Sequence, residues 1–434
     1  MGTTRAGRAR VGPLHLGALL VLWGAAAVAH VWYGNRHDFF DFGIYYRAVR
    51  WWADGHDLYS YSLPDPVQGE LGFTYPPFAA LLLRPLAALP LHTALLVFGA
   101  VSVAALVAGV WCLVAPVANR HGYPPWFGVA LALPLVSWLE PVRETFTFGQ
   151  VNFILFGLVV VDLLVAVPRR SRLAGVAIGL AAAIKLTPAV FVVYLLLTRR
   201  WRAAATAAAT AVVATLVGAG ALWRDSIRFW TELLWQTERI GHADRLENQS
   251  LQGALARMGG GEPDRLAWAL LVGLVIGYGL WRARRAALAG DEVAGLTLTG
   301  LVSCVVSPVT WSHHLLWFAP ALVALVDTAL DRGRPRHRRW SLAAMTLVVY
   351  VTTTFAVISW YDWHVVERSA DRGVAGLLID NWYLLLMLVL LVTLPVRARP
   401  DALRPAPAPA PAEGRESTTD PALPDRPYST PRSK

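Results

Sequence analysis

The chain has few charged residues for its length. Asp, Glu, Lys and Arg make up 16% of its 434 residues, whereas soluble proteins carry about a quarter. Hydrophobic residues make up 56% of the chain, and its mean hydropathy is +0.45. This balance excludes an ordinary soluble enzyme. Lysine is nearly absent, because only Lys185 and Lys434 among the 39 basic residues are lysines.

Cysteine is also scarce, and the sequence lacks metal-ligand patterns. The two cysteines, Cys112 and Cys304, lie in apolar runs and form neither a CxxC pair nor a zinc-ligand spacing, so we expect both to pack in the core. No Asp-x-Asp sequence occurs, which disfavours a metal-bound nucleotide-sugar site. The sequence therefore predicts no metal site and no cofactor.

The sequence contains many long runs of apolar residues. A helix needs about 20 apolar residues to cross the hydrocarbon of a bilayer. Clear candidate spans are 14–32, 92–115, 203–222, 293–311 and 340–360. Shorter candidates are 126–139, 151–167, 266–281, 315–330 and 382–396. The fold class we predict is all-α, a polytopic integral membrane protein with about 10–12 transmembrane helices. The first run is too rich in Trp and His for a cleaved signal, so we expect a membrane anchor.

The arginines predict the orientation of these spans. If the N-terminus (1–13) is cytoplasmic, the loops on its side hold 20 basic and three acidic residues, and the opposite loops hold 12 basic and 19 acidic residues. The opposite loops are 33–75, 140–150, 223–265 and 361–381. The positive-inside rule assigns these loops to the outer face of a plasma membrane. The net charge of +10 is therefore a topology signal, and no nucleic-acid partner is expected.

Two segments do not fit a single membrane-spanning helix. Residues 173–198 have arginines at both ends and are divided near Lys185 and Pro188, so we predict either a re-entrant hairpin or two short tilted spans. Non-helical backbone at that depth is tolerated only inside protein or beside a water-filled cavity. The Pro- and Ala-rich tail, 397–434, cannot bury a core and is predicted to be disordered and cytoplasmic.

The first outer loop, 33–75, is aromatic and acidic together. After Asp41, residues 42–53 are predicted to form a helix on the membrane surface that ends at Gly55. Asp41 and Tyr45 are four residues apart and share one face of it. Since Asp41 is one of six acids in the loop, composition alone does not single it out.

The other outer polar segments lie at or near helix ends and could converge on one cavity. They are EPVRETFTFGQVN (140–152), Asn248-Gln249-Ser250, SPVTWSHH (307–314) and Tyr361-Asp362-Trp363-His364. Such a set permits sugar transfer from a lipid-phosphate donor, with a carboxylate as general base and Lys, Arg or His stabilising the leaving phosphate. Lys185 amid apolar residues is functional by default, although a snorkelling or ion-paired lysine is the alternative.

Simpler interpretations apply to other polar residues. His313 and His314 could be an interfacial pair rather than part of a site. Asp162 and Asp327 also lie in apolar runs, each near a cytoplasmic end. We interpret both as residues that cap a helix or pair with a nearby arginine.

Seven short motifs in order resemble a known family. They are Asp41-Phe-Gly-Ile-Tyr45, Gly55-His-Asp-Leu-Tyr59, Phe73-Thr-Tyr-Pro-Pro77, Gly149-Gln150-Val-Asn152, Ala183-Ile-Lys185-Leu-Thr-Pro188, Asn248-Gln-Ser250 and Ser307-Pro-Val-Thr-Trp311-Ser-His-His314. This order, from about residue 38 to about residue 320, resembles glycosyltransferase family 87, the actinobacterial polyprenyl-phosphate-mannose-dependent α-mannosyltransferases of the GT-C superfamily. After residue 330 only the hydropathy matches.

The resemblance implies a GT-C transmembrane catalytic domain over 14–396, with its site on the outer face. It implies a polyprenyl-phosphate sugar donor, a glycolipid or lipoglycan acceptor, and inversion to an α-linked product, with Asp41 as general base. The candidate donor- or acceptor-binding residues are Tyr45, Arg47, Tyr75, Gln150, Asn152, Lys185, Asn248, Gln249, Trp311, His313 and His314.

Two alternatives remain at this point. A related GT-C enzyme would transfer a different polyprenyl-phosphate sugar through the same kind of site. A non-enzymatic flippase or transporter of lipid-linked sugars would need no base, and transporters often contain related halves, which we do not see in this sequence.

Overall fold

A computed structural model describes residues 11–65, 69–261, 263–358 and 373–397. The N-terminal half contains α1 (Pro13–Tyr33), α2 (Phe40–Ala53), β1 (Ser62–Asp65), β2 (Gly69–Gly72), α3 (Pro77–Ala87), α4 (Leu91–Arg120), α5 (Pro125–Ser137), α6 (Glu140–Phe148), α7 (Asn152–Val161), α8 (Val176–Ile184), α9 (Val190–Leu197) and α10 (Trp201–Ala221).

The remaining helices are α11 (Trp223–Thr231), α12 (Leu251–Met258), α13 (Arg265–Leu288), α14 (Glu292–Val306), α15 (Phe318–Ala329), α16 (Arg336–Thr354), α17 (Gly373–Asp380) and α18 (Trp382–Thr393). Short 3-10 turns occupy Leu58–Ser60, Thr187–Ala189, Leu233–Trp235, Thr237–Ile240 and Ser312–Trp317.

Several of these helices can cross a membrane. Among the described residues, α1, α4, α10 and α13 are each long and apolar enough to do so alone. The pair α5 and α6, bent by 73°, and the pair α17 and α18, bent by 70°, each pass the same test together as a broken span. The chain is therefore an all-α membrane protein, and the four single helices lie on the predicted segments 14–32, 92–115, 203–222 and 266–281.

The predicted span 293–311 is shorter than expected. Helix α14 ends at Val306, because Pro308 disfavours helical backbone at the residue before it and cannot donate a backbone hydrogen bond. The chain then forms the 3-10 turn Ser312–Trp317, which carries both histidines. The two histidines therefore lie in the connection between α14 and α15.

The predicted break in 173–198 is present. Helix α8 ends at Ile184, and Lys185 has extended backbone with φ −147° and ψ 136°. Pro188 lies in the 3-10 turn Thr187–Ala189 that leads into α9, so the helix breaks three residues before the proline.

The first outer loop contains the predicted helix, which packs into the protein rather than lying only on the membrane surface, and an additional hairpin. The predicted helix is present as α2, which starts at Phe40, and Gly55 follows its end with φ +93°. Its residues Ile44, Ala48 and Val49 are buried, so the helix packs into the protein on that side. An antiparallel hairpin of β1 and β2, which the sequence pattern did not predict, pairs Ser62 with Gly72.

The two aspartates in apolar runs have the structural roles that we inferred. Asp162 accepts hydrogen bonds from the backbone N–H groups of Gly175 (2.9 Å) and Ile178 (3.0 Å) at the start of α8. Asp327 forms ion pairs with Arg120 and with Arg397. The motif at 361–364 and the tail at 398–434 lie outside the described residues.

Candidate active site

Four of the predicted site residues form one chain of hydrogen bonds. The Gln150 amide Nε2 donates to Asp41 Oδ2 at 2.6 Å, and Gln150 Oε1 accepts from the Tyr75 hydroxyl at 3.0 Å. The Tyr45 and Tyr75 hydroxyl oxygens are 2.8 Å apart. These bonds connect three separate segments of the sequence, and Gln150 is the member that contacts the Asp41 carboxyl.

A glycine allows this meeting. Gly149, directly after α6, has φ +68° and left-handed backbone. A Cβ atom at this position would lie 2.6 Å from the Cβ of Phe42, closer than two carbons can approach. The missing side chain therefore allows the backbone before Gln150 to press against the residue after Asp41.

Lys185 forms a second group on the broken segment. Its Nζ donates to Asn152 Oδ1 at 3.2 Å and lies 3.0 Å from His314 Nε2. The same nitrogen lies 5.3 Å from the centre of the Tyr75 ring, within cation–π distance. Tyr75 therefore links the lysine to the hydrogen bonds that reach Asp41.

The two histidines, which the sequence did not distinguish, have different surroundings. His314 Nδ1 accepts from the Trp311 N–H at 3.2 Å, so both its ring nitrogens have neighbours. The His313 ring is 6% exposed, and its Nε2 has no hydrogen-bond partner within the part of the chain that the structure describes. Phe148 contacts the His313 ring with centroids 5.4 Å apart.

These groups face one large cavity of about 1920 Å³. The predicted residues that line it are Asp41, Tyr45, Tyr75, Gln150, Lys185, Trp311, His313 and His314. Asn152 lines a smaller neighbouring pocket of about 50 Å³, beside Lys185 and His314. No group of three or more His, Cys, Asp or Glu side chains arranged for a metal ion occurs within the described ranges.

Three predicted residues lie elsewhere. Arg47 is exposed, on a side of α2 that does not line the cavity. Asn248 is buried and supports the turn after α14, because its Oδ1 accepts from the Thr310 N–H (2.9 Å) and its Nδ2 donates to the Pro308 carbonyl (3.2 Å). Gln249 is also buried, and its Nε2 donates to the Asp380 carbonyl at 2.8 Å. Asn248 and Gln249 therefore stabilise the backbone of neighbouring segments.

The cavity wall also contains ionisable residues outside the set of predicted site residues. They are Arg36, His37, Asp65, Arg143, Glu144, Arg239, Arg245 and Glu247. Glu144 is buried and accepts a hydrogen bond from the Ser312 hydroxyl. The available signal for Arg143 and Glu144 was their place in the polar outer segment 140–152, beside Gln150 and Asn152.

The Asp41 carboxyl has an altered affinity for protons. Burial raises its pKa from 3.8 to about 6, although the hydrogen bond from Gln150 and the charge of Lys185 act in the opposite direction. A carboxyl that titrates near physiological pH, in a cavity, suits a general base.

Comparison with known proteins identifies relatives that match most of the chain. A polyprenol-phosphate-mannose-dependent alpha-(1-2)-phosphatidylinositol mannoside mannosyltransferase of Mycobacterium tuberculosis is 35% identical over 410 residues, which cover 90% of this chain and 94% of the relative. A protein of the same name from Mycolicibacterium smegmatis is 37% identical over 358 residues, covering 77% and 80%.

A polyprenol-phosphate-mannose-dependent alpha-(1-2)-phosphatidylinositol pentamannoside mannosyltransferase, also from Mycolicibacterium smegmatis, is 34% identical over 329 residues, covering 72% and 76%. No solved structure matches the chain. The sequence model of glycosyltransferase family 87 matches residues 73–308. With this match and these relatives, the chain belongs to glycosyltransferase family 87.

Proposed function

We propose that this glycosyltransferase moves mannose from a polyprenyl-phosphate donor to a phosphatidylinositol mannoside, with Asp41 as the general base. The observation that carries the proposal is the Asp41 carboxyl, held by Gln150 at 2.6 Å in the same cavity that Lys185 lines. The names of the relatives, which specify a polyprenol-phosphate-mannose donor and phosphatidylinositol mannoside acceptors, support it.

The reaction we propose is a single displacement. Asp41 takes the proton of an acceptor hydroxyl as that oxygen bonds to the anomeric carbon of the donor sugar. The bond from that carbon to the phosphate oxygen breaks, and polyprenyl phosphate leaves with the electron pair. Attack opposite the leaving group inverts a β-linked donor to an α-linked product.

Positive charge assists the departure of the phosphate. The Lys185 ammonium stabilises the charge that develops on the leaving oxygen. His314 and Asn152 hold that ammonium by their contacts of 3.0 and 3.2 Å. We assign the direct substrate contact to His313, because its Nε2 is unpaired among the described residues and its ring faces the cavity.

The membrane arrangement is part of the proposal. We assign a GT-C domain to 14–396, with about 10–12 spans, the first outer loop at 33–75 and the site on the outer face. The excess of basic residues in one set of loops and of acidic residues in the other supports this orientation.

The orientation is tested by cysteine labelling. In the variant Glu238→Cys, the introduced thiol on an exposed 3-10 turn should react with an impermeant reagent from outside intact cells. Labelling only after lysis would show that this segment is cytoplasmic and that the orientation is the opposite one.

The function is tested with purified protein in liposomes that contain a phosphatidylinositol mannoside. Polyprenyl-phosphate-mannose labelled in the sugar should yield a labelled glycolipid that α-mannosidase digests, and polyprenyl-phosphate-glucose, the matched donor, should yield far less. No consumption of either donor would reject the enzyme assignment. Preference for glucose would reject the donor sugar and retain the transferase.

A further inference from the structure

A second polar cluster lines the cavity outside the residues assigned to the reaction. It consists of Glu144 on α6 and of Arg245 and Glu247 on the segment before α12. Arg245 Nη2 donates to Glu247 Oε1 at 3.2 Å. Glu247 lies near enough to Glu144 for their charges to interact, so the three side chains form one patch of the wall.

The cluster has unused hydrogen-bonding capacity. Arg245 Nε and Glu247 Oε2 are buried, and neither has a partner in the described ranges. His313, whose Nε2 is also unpaired there, lines the same cavity. A buried polar group without a partner costs about 1–3 kcal/mol, which these partly exposed side chains would recover by turning toward a ligand in the cavity.

The charge of the cluster favours a neutral sugar over a phosphate. Arg245 and Glu247 form an ion pair without net charge, and Glu144 adds a carboxyl group, so the cluster offers no excess positive charge to bind a phosphate. Carboxylates only accept and a guanidinium only donates hydrogen bonds. Adjacent hydroxyls of a hexose ring do both and match this combination.

The cavity is large enough to hold the acceptor headgroup as well as the donor sugar, so the sugar bound by this cluster belongs to the acceptor. Pockets for one small ligand are about 300–1,000 Å³, whereas this cavity is about 1920 Å³. The donor has one sugar, which the reaction places at Asp41, and its phosphate belongs at Lys185. We propose that Glu144, Arg245 and Glu247 bind hydroxyls of a mannose ring in the acceptor headgroup, a ring other than the one whose hydroxyl Asp41 deprotonates. This proposal rests on the proposed function.

Steady-state kinetics provide the first test. Arg245→Gln and Glu247→Gln should each raise the KM for the glycolipid acceptor by about tenfold and leave the KM for the donor and kcat within about twofold of wild type. Glu238→Gln, an exposed change on the same segment, should alter neither KM. An unchanged acceptor KM would overturn the proposal, as would an increase confined to the donor KM.

Binding without donor separates this proposal from the proposed function. Phosphatidylinositol mannoside should bind the purified Arg245→Gln and Glu144→Gln proteins about tenfold more weakly than wild type, and phosphatidylinositol without mannose should bind all three alike. Equal weakening for both lipids would mean phosphate contact and would overturn the sugar assignment. If wild type transfers no mannose and this selective loss persists, the proposed function fails and the sugar site stands. Matching thermal unfolding curves check that the variants are folded.

Discussion

The side-chain amide of Gln150 donates a 2.6 Å hydrogen bond to Asp41 Oδ2 across 109 residues of sequence. This bond fixes the orientation of the carboxyl and stabilises its charged form. A carboxylate has about four lone-pair positions, so Asp41 retains others that can take a proton from an acceptor hydroxyl.

Removal of this bond should affect both rate and pH dependence. A hydrogen bond to a charged group contributes about 1.5–3 kcal/mol, so Gln150→Leu should lower kcat/KM by roughly 10- to 100-fold. Because the bond lowers the pKa of Asp41, its loss should move the acidic limb of the pH profile to higher pH. An unchanged profile in an active variant would show that Gln150 does not act on the base.

The wild-type rate should fall in acid for the same reason. Burial raises the pKa of Asp41 to about 6, and only the ionised carboxylate can accept a proton. The kcat/KM for mannose transfer should therefore be half-maximal near pH 6 and level above about pH 7. It should decrease about tenfold per pH unit well below the pKa. A level rate down to about pH 5 would contradict a base with this pKa.

Replacement of Lys185 tests the position of the phosphate. Lys185→Met keeps the unbranched apolar stem, one atom shorter, and removes the charge. One such stabilising donor contributes about 10²–10³-fold in kcat. The variant should also lose inhibition by free polyprenyl phosphate, measured against labelled donor. If that inhibition matches wild type while the rate falls, Lys185 does not contact the phosphate.

Asn248 should matter for stability rather than for chemistry. Its side chain holds the Pro308 carbonyl and the Thr310 N–H in a buried turn. Asn248→Ala leaves the Thr310 N–H without this partner at a cost of about 1–3 kcal/mol, whereas the Ser250 hydroxyl still donates to the Pro308 carbonyl. The thermal midpoint in detergent should fall, and the KM of the folded protein should change little. A rise in KM at unchanged stability would return Asn248 to the substrate-binding residues.

The sequence was informative where a local signal was strong. Apolar runs predicted helices such as α4 and α13, and Pro188 beside a lone lysine marked the break before α9. The resemblance to a family selected Asp41 among six acids of its loop. Each of these signals is read directly from residue types and their order along the chain.

Other features depend on contacts that only the fold creates. An amide such as Asn248 looks the same in sequence whether it holds a turn 60 residues away or binds a sugar. Arg245 and Glu247 resemble ordinary solvated charges until packing encloses the cavity that they line. The hairpin of β1 and β2 has neither the length nor the alternating pattern that identifies strands.

Mannose transfer by Asp41→Asn tests the central claim most directly, with Asp38→Asn as the matched control. Asp38 is exposed, does not line the cavity and has φ +47°, a conformation that asparagine also adopts readily. With labelled polyprenyl-phosphate-mannose, Asp41→Asn should lose about 10²–10⁴-fold in rate at normal expression, and Asp38→Asn should retain wild-type activity. Full activity of Asp41→Asn would contradict the assignment of Asp41 as the base.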